Sequence, residues 1–233
     1  MHKEEFIKAL EKLNINITKK QLSNLDTYYK MLIDYNSHTN LTRITDEKEV
    51  YLKHFYDSLT LVKAIKLDNQ SLLDVGTGAG FPGLVLKIIF PNLKITLVDS
   101  LNKRIVFLNY VIETLRLSDI KVIHTRAEEY ALNNREKYDI VTSRAVAQLN
   151  MLSELCLPMV KINGYFIPMK AQVENEIDVS KKAIKTLGGE LKDKIIFKLP
   201  YDAGIRTLIK IKKITKTSVK YPRKFSEIKK KPL

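Results

Sequence analysis

The sequence contains one cysteine, no tryptophan, eight glycines and seven prolines in 233 residues. A single cysteine, Cys156, excludes an internal disulfide, and no Cys and His residues have the spacing of metal ligands, so we expect no metal site. A reducing compartment such as the cytoplasm suits this composition. Because glycine and proline are scarce, the chain is not a fibrous or low-complexity protein.

Long apolar runs are also missing. Residues 1–12 interleave lysine and glutamate with single apolar residues, so they lack the core of a signal peptide. No later run approaches the length of a membrane span, and we therefore expect no membrane partner. With 45% hydrophobic and 28% charged residues, the composition is that of a globular protein. At this length, one α/β domain with an N-terminal extension is the simplest organisation.

Acidic residues are the scarcer charge: 26 of them face 40 lysines and arginines, a formal net charge of +14. Nucleic acid is the natural partner of such a charge, since each cation placed at a phosphate releases condensed counterions. The excess is largest at the C-terminus, where residues 206–233 contain eleven lysines and arginines and one acidic residue, Glu227. Such a run can also be an ordinary solvated face, so charge alone leaves the partner open.

The N-terminal third is predicted to be helical. Apolar residues recur at helical spacing from Phe6 to Tyr35 with one break, which predicts two amphipathic helices. Thr18 and Gln21 form a capping box for the second helix. The polar run from Asn36 to Thr45 predicts a loop. A further helix that begins near Asp46 carries three polar residues: His54, Asp57 and Ser58.

From residue 71 onward, short apolar runs alternate with helical periodicity. The predicted strands are Leu72–Val75, Ile95–Val98, Lys121–His124, Tyr138–Thr142, Tyr165–Met169, Ile195–Leu199 and Thr207–Ile211. The predicted helices are Gly83–Phe90, Lys103–Leu115, Leu149–Val160 and Ile177–Leu187. This alternation predicts an α/β, Rossmann-like fold whose mostly parallel sheet has helices on both faces. The last two strands are joined by a short loop and should form an antiparallel hairpin at one edge.

We therefore divide the chain into three parts. Residues 1–66 form a helical N-terminal extension, residues 67–213 the Rossmann-like domain, and residues 214–233 a basic C-terminal tail.

A glycine-rich turn, LLDVGTGAGFPG (72–83), follows the first strand. Ligands of open α/β sheets bind at the carboxyl ends of strands, so Gly76, Gly78 and Gly80 should face a cofactor. A dinucleotide and S-adenosylmethionine both suit such a turn. Asp74 at the strand end repels a diphosphate but attracts the cationic sulfonium and ammonium groups of S-adenosylmethionine, which favours the methyl donor.

Two later strand ends offer further cofactor contacts. Asp99 ends the second strand, where an acidic side chain accepts hydrogen bonds from ribose hydroxyls. Both cofactors require that acid. Arg126, Ala127 and Glu128 form a predicted turn after the third strand and are candidates for the adenine edge.

The sequence lacks the groups that two kinds of base methylation use. Transfer to a base carbon generally needs a cysteine nucleophile, and Cys156 lies in an apolar run typical of a buried thiol. Transfer to an exocyclic amine usually uses an Asn- or Asp-Pro-Pro-aromatic element after the fourth strand, where this chain has Ser143, Arg144 and Ala145. Guanine N7 has a lone pair and no proton, so transfer there needs positioning but no general base.

Several segments resemble the small-subunit ribosomal RNA guanine-N7 methyltransferases, a family also called glucose-inhibited division protein B. These segments are DVGTGAGFPG (74–83), DSLNKRIVFLN (99–109), RAEE (126–129) and TSRAVAQLN (142–150), with YNSHTNLT (35–42), KHFYDSL (53–59) and YPRKFSEIKKKPL (221–233). The resemblance implies a bacterial cytoplasmic enzyme that transfers a methyl group from S-adenosylmethionine to N7 of one guanine in the decoding-region loop of 16S ribosomal RNA. It also implies cofactor contacts at Gly76, Phe81, Ala127, Glu128 and Arg144, with Asp99 at the ribose.

On the substrate side, Arg144 and Lys170 are the predicted catalytic residues. The predicted RNA contacts are Asn36, Asn40, Thr42, Lys103, Arg104 and Arg206. Amides and hydroxyls read base edges, although an asparagine-rich loop also forms Asx turns. His54, Asp57 and Ser58 are predicted to brace the N-terminal helices against the cofactor loop. Thr207 departs from the family, because some members carry a histidine there.

Two other functions compete with this interpretation. A nicotinamide-dependent oxidoreductase would use the same glycine turn, but it gives the basic tail no purpose. A non-catalytic RNA-binding factor of ribosome assembly would bind RNA without methyl transfer. For the enzyme we expect 16S ribosomal RNA or the small ribosomal subunit as partner and a monomeric protein.

Overall fold

The computed structural model describes residues 1–144, 147–171, 173 and 175–233. An N-terminal helical layer precedes the sheet. It contains α1 (Lys3–Glu11), α2 (Lys19–Thr39), α3 (Glu47–Glu49), a π-helix (Val50–Tyr56), α4 (Asp57–Leu59) and a 3-10 helix (Thr60–Lys63).

The predicted capping box of α2 is confirmed. The Gln21 amide donates to the Thr18 hydroxyl at 3.2 Å, and the Thr18 amide donates to Gln21 Oε1 at 2.8 Å. The predicted loop start at Asn36 is wrong, because α2 continues to Thr39 and ends at Asn40 in the left-handed conformation (φ 52°). Polar residues do not end a helix when their side chains can reach water. The polar composition therefore placed the end of α2 too early.

Within these described ranges the sheet has seven strands in the order β3-β2-β1-β4-β5-β7-β6. They are β1 (Ser71–Val75), β2 (Lys94–Asp99), β3 (Ile120–His124), β4 (Tyr138–Arg144), β5 (Val160–Lys170), β6 (Gly189–Lys198) and β7 (Ile205–Lys213). Strands β1 to β5 are parallel, and β7 pairs antiparallel with both β5 and β6. The predicted fold class and the edge hairpin are confirmed. Strand β7 lies between β5 and β6 and is largely buried, whereas β6 lies at the edge and is largely exposed.

The remaining helices cover the two faces of the sheet. They are α5 (Gly83–Ile89), α6 (Asn102–Thr114), α7 (Ala127–Asn133), α8 (Leu149–Cys156), α9 (Glu176–Thr186) and α10 (Phe225–Lys230). The predicted turn at residues 126–128 is instead the start of α7. This short helix buries only Ala131, so it has almost no apolar periodicity to read.

Alternate residues of β1 enter different cores. Leu72 packs with the N-terminal layer, α5 and α6, and Leu73 packs with α8, α9 and the C-terminal tail. Among the described residues, no helix combines the length and apolar composition needed to cross a membrane.

The basic tail folds back onto the domain. The fully buried Glu154 carboxylate accepts three hydrogen bonds from Arg223, at 2.6–2.9 Å. Arg135 donates to the backbone carbonyls of Thr217 and Tyr221, both at 2.6 Å. The side chain of Ile228 in α10 is fully buried. The tail is therefore an ordered part of the structure.

Candidate cofactor and substrate site

A cavity of about 440 Å³ opens at the carboxyl ends of β1, β2, β3 and β4. Two groups of residues occupy its opposite ends. At one end, which we call the cofactor end, are Asp99, Ala127, Glu128 and Phe225. At the other, the acceptor end, are Thr42, His54, Phe81 and Arg144. The strand order β3-β2-β1-β4 separates these groups, with the glycine turn between them.

The glycine turn forms the floor of the cavity. Gly78 has a φ of +63°, and a Cβ there would meet no atom within 4 Å, so this position is open to a ligand. Gly80 has a φ of +103° and no such space: a Cβ would lie 2.5 Å from the Leu84 side chain and 2.6 Å from the Tyr28 hydroxyl. Gly76 and Gly78 line the cavity, whereas Gly80 does not.

Asp74 lies beneath the turn and outside the cavity lining. Its Oδ2 accepts from the Thr77 hydroxyl at 2.7 Å and from the Gly83 amide at 2.9 Å. Within the described ranges its buried Oδ1 has no partner. Burial raises the pKa of Asp74 to about 6. The structure thus gives Asp74 a bracing role in the turn, and a direct cofactor contact stays a prediction.

Asp99 places a carboxylate inside the cavity at the end of β2. Its oxygens accept from the Gly78 amide at 2.9 Å and the Leu101 amide at 3.0 Å. Arg104 forms a 3.0 Å ion pair with it and also lines the cavity. The neighbouring Lys103 points elsewhere, donating to the Thr39 carbonyl at 2.5 Å.

The remainder of the cofactor end combines backbone and apolar surface. Ala127 and Glu128 lie in the first turn of α7, and both predicted contacts line the cavity. Glu128 pairs with Arg126 at 2.7 Å, and the Arg126 guanidinium lies 5.2 Å from the ring centre of Phe225. Through Phe225 the C-terminal tail forms one wall of the cavity, which no sequence motif indicated.

The acceptor end is a closed network of side chains around Arg144. Its Nη1 donates to the Lys53 carbonyl at 3.0 Å and to Asp57 Oδ2 at 3.3 Å, and its Nη2 lies 3.2 Å from His54 Nδ1. The His54 ring stacks on Phe81 with centroids 4.3 Å apart. The other ring nitrogen, Nε2, lies 2.9 Å from the Thr42 hydroxyl.

Burial and, to a smaller extent, the nearby Arg144 charge together lower the pKa of His54 to about 3. The imidazole is therefore neutral at physiological pH. Asp57 also binds a second cation, Arg206. Both oxygens of Asp57 accept from Arg206 Nε at 3.0 Å. His54 and Asp57 do brace the N-terminal layer, but His54 also lines the cavity.

Several predicted substrate residues lie outside the cavity lining. Asn36 Oδ1 accepts from the Thr42 amide at 2.8 Å, and Asn40 ends α2. Lys170 Nζ donates to the Ala147 carbonyl and to Glu176, both at 2.8 Å. The structure therefore does not bring Lys170 together with Arg144 in the cavity. Of the six predicted RNA contacts, Thr42 and Arg104 line it.

Two further groups bear on the chemistry. Cys156 is fully buried in the core, and burial raises the pKa of its thiol, which suits neither a nucleophile nor a metal ligand. In the part of the chain that the structure describes, no three His, Cys, Asp or Glu side chains are grouped to hold a metal ion. The expectation of no metal stays a prediction.

Comparison with known proteins gives strong matches over the chain. The family model for rRNA small subunit methyltransferase G matches residues 21–200. The ribosomal RNA small subunit methyltransferase G of Bacillus subtilis is 50% identical over 228 residues, covering 96% of this chain and 95% of that protein. The protein of the same name from Lactobacillus acidophilus is 48% identical over 239 residues and covers both chains completely.

Solved structures share the fold at lower identity. A SAM dependent methyltransferase from Aquifex aeolicus has a TM-score of 0.56 and 15% identity, over 74% of this chain and 97% of its own. TYW2 from M. jannaschii, solved in complex with AdoMet, has a TM-score of 0.54 and 18% identity, over 64% of this chain and 72% of its own. These likenesses show the Rossmann-like methyltransferase fold.

The residues of the cofactor end fit S-adenosylmethionine. Asp99 can accept from ribose hydroxyls, Gly78 leaves room beside the backbone, and Phe225 offers an apolar wall. The predicted methyl donor is confirmed, and so is the enzyme class, which removes the oxidoreductase alternative. The chain belongs to the rRNA small subunit methyltransferase G family.

Proposed function

We propose that the protein transfers the methyl group of S-adenosylmethionine to N7 of one guanine in the decoding-region loop of 16S ribosomal RNA. The relatives bear the name ribosomal RNA small subunit methyltransferase G, and the motifs resemble guanine-N7 enzymes over nearly the whole chain.

The cofactor end would hold the methyl donor. Asp99 binds the ribose, the N-terminal residues Ala127 and Glu128 of α7 bind the adenine edge, and the backbone from Gly76 to Gly78 lies along the ligand. When bound, S-adenosylmethionine supplies an electrophilic methyl group. Arg144 and Phe81, which are also predicted cofactor contacts, close the opposite side, where they would face both the methyl group and the acceptor base. Their contribution is orientation and exclusion of water.

One observation favours N7 over acceptors that must lose a proton. Among the described residues of the acceptor end, the only imidazole is His54, and both its nitrogens are engaged by Arg144 and Thr42. The carboxylates in the lining, Asp99 and Glu128, lie at the cofactor end and are paired with arginines. A site with no free base suits guanine N7, which has no proton to remove.

We further propose that the enzyme acts as a metal-independent monomer in the bacterial cytoplasm, on the small ribosomal subunit or its RNA. The formal charge of +14 supports an RNA partner. The three parts of the chain, residues 1–66, 67–213 and 214–233, would act together, since the first and last each supply cavity residues. Arg206 and Lys103 would then contact RNA only at the margin of the site.

This function is tested by incubating the protein with radiolabelled S-adenosylmethionine and small-subunit RNA that lacks the modification. The RNA is offered both naked and in assembled subunits. Chemical cleavage at N7-methylguanine then locates the product. We expect one cleavage site in the decoding-region loop. Cofactor binding without incorporation into either substrate would contradict the proposal and favour the RNA-binding assembly factor.

A further inference from the structure

The hydrogen bonds of the acceptor end have a fixed direction. Each nitrogen of a guanidinium carries only protons, so Arg144 Nη2 donates and His54 Nδ1 must accept. Because Nδ1 accepts, it carries no proton, and the single proton of the neutral ring lies on Nε2. The Nε2 proton can only point to the Thr42 hydroxyl oxygen, 2.9 Å away.

The Thr42 oxygen accepts a second hydrogen bond from its own loop. The Ile44 amide donates to it at 3.1 Å. A hydroxyl has two acceptor lone pairs and one proton, so both lone pairs are used and only the proton remains. Among the described residues no acceptor takes that proton, and Thr42 lines the cavity.

The loop that carries Thr42 is itself held in place. Asn36 Oδ1, in α2, accepts from the Thr42 amide at 2.8 Å. The His54 ring is fixed by stacking on Phe81. If the Thr42 hydroxyl turned its proton toward His54 or Ile44, it would lose one of the two hydrogen bonds that its oxygen accepts. Its proton is therefore presented to whatever enters the acceptor end.

We infer that the Thr42 hydroxyl is a specificity-determining donor that hydrogen-bonds O6 of the purine undergoing methylation and so selects guanine over adenine. In the major-groove edge of guanine, O6 is an acceptor next to N7, whereas adenine has an amino donor at that place. A hydroxyl that can only donate attracts the O6 acceptor of guanine and opposes the amino donor of adenine. This inference depends on the proposed function and specifies which purine the site accepts.

The position of Thr42 supports a contact with the base rather than with the ribose or adenine of the methyl donor. Asp99, Ala127 and Glu128 lie beyond the glycine turn at the opposite end of the cavity. Thr42 is joined through His54 to Arg144, the predicted catalytic residue, at the end where the base would enter.

Small-subunit RNA that carries guanine, inosine or 2-aminopurine at the target position tests the inference. Inosine keeps O6 and 2-aminopurine lacks it, while both keep N7. We expect the wild-type protein to methylate guanine and inosine well and 2-aminopurine poorly. Thr42→Val should lower the guanine to 2-aminopurine rate ratio by about tenfold, the effect of one hydrogen bond to a buried donor. Thr42→Ser, which keeps the hydroxyl, should preserve the ratio.

The ratio cancels a general loss of activity, and a cofactor titration of each variant shows whether the cavity is intact. His54→Phe keeps an aromatic ring on Phe81 but releases the Thr42 hydroxyl, so it should also lower the ratio. An unchanged ratio in Thr42→Val, or a loss confined to cofactor affinity, overturns the inference. Failure of the wild-type protein to methylate guanine RNA instead overturns the proposed function.

Discussion

The two ends of the cavity are built in different ways. At the cofactor end, the Gly78 amide meets Asp99 across only 21 residues of sequence, because successive strands of one sheet end side by side. At the acceptor end, Asp57 pairs with Arg144 and Arg206 across 87 and 149 residues. The first end is a property of the fold, and the second is assembled from the N-terminal layer, β4 and β7.

This difference suggests a division of labour. The cofactor end offers backbone groups and two carboxylates, Asp99 and Glu128, which suit a ligand common to many enzymes with this fold. The acceptor end offers a side-chain network with fixed polarity, which suits selection of one substrate. Changes at the two ends should therefore have separable effects on donor binding and on methyl transfer.

The largest effect concerns the attachment of the tail to the cofactor end. Arg223→Ala keeps the backbone amide that donates to Glu154 but removes both guanidinium hydrogen bonds and the balancing charge from this buried carboxylate. We expect a loss of about 3 kcal/mol in the free energy of unfolding. Cofactor affinity should fall as well, because Phe225 moves with the tail. Thermal melts and calorimetric titration measure the two effects.

Lys224→Ala is the matched control for Arg223→Ala, since it removes one positive charge from an exposed side chain of the same segment. It should change neither stability nor cofactor affinity. Equal losses in the two variants would mean that charge, and not the buried contact, explains the result.

The second effect separates the cofactor end from the acceptor end. Asp99→Ala removes the carboxylate proposed to bind the ribose, and we expect cofactor affinity to fall roughly 100-fold. Transfer at saturating donor should change little. Asp99→Asn keeps one acceptor oxygen and should lose less. Equal losses in both variants would contradict a hydrogen bond from the ribose to the oxygen that asparagine keeps.

The third effect concerns the acceptor end. Asp57→Asn weakens the hold on Arg144 and Arg206, and we expect transfer at saturating donor to slow about 30-fold through misplacement of Arg144. Single-turnover kinetics measure this rate. Asp34→Asn makes the same charge change on an exposed face of α2 and should leave the rate unchanged.

The smallest effect is a pH dependence of stability. The folded pKa of His54 is about 3 against an ordinary 6.5, so below pH 6.5 the unfolded chain binds a proton that the folded chain does not. The stabilisation is present above pH 6.5 and is lost on acidification, by about 1.4 kcal/mol at pH 5.5.

His54→Gln should remove this contribution to acid sensitivity, as denaturant melts from pH 7 to 5.5 will show. The raised pKa of Asp74 acts in the opposite sense, because the folded chain keeps a proton that the unfolded chain releases as the pH rises from 4 to 6. The comparison of wild type with variant isolates His54. A wild-type rate profile that titrates near pH 6.5 would contradict a neutral, engaged imidazole.

The cofactor end was predictable because its residues follow strands in order. The glycine turn, Asp99, and the pair Ala127 and Glu128 each come directly after a predicted strand. The acceptor end was less predictable. The polar residues of segment 36–58 have no periodicity that tells a cavity residue from a brace, so Asn36 and Thr42 looked equivalent, and only the three-dimensional structure separates them.

Two helices also escaped prediction for a physical reason. Both α7 and α10 are short, and each buries a single side chain, Ala131 and Ile228 respectively. The tail is held by tertiary contacts such as the Arg223 pair with Glu154. The local sequence shows only a basic run, so it could not predict α10.

The most direct test of separate cavity ends is a double-mutant cycle of Asp99→Ala and Asp57→Asn. The measured quantity is kcat/KM for S-adenosylmethionine, which reports both donor binding and methyl transfer. Independent ends predict that the two losses add in free energy to within about 0.5 kcal/mol. A double variant no worse than the poorer single variant would contradict the account, because both carboxylates would then support one shared function.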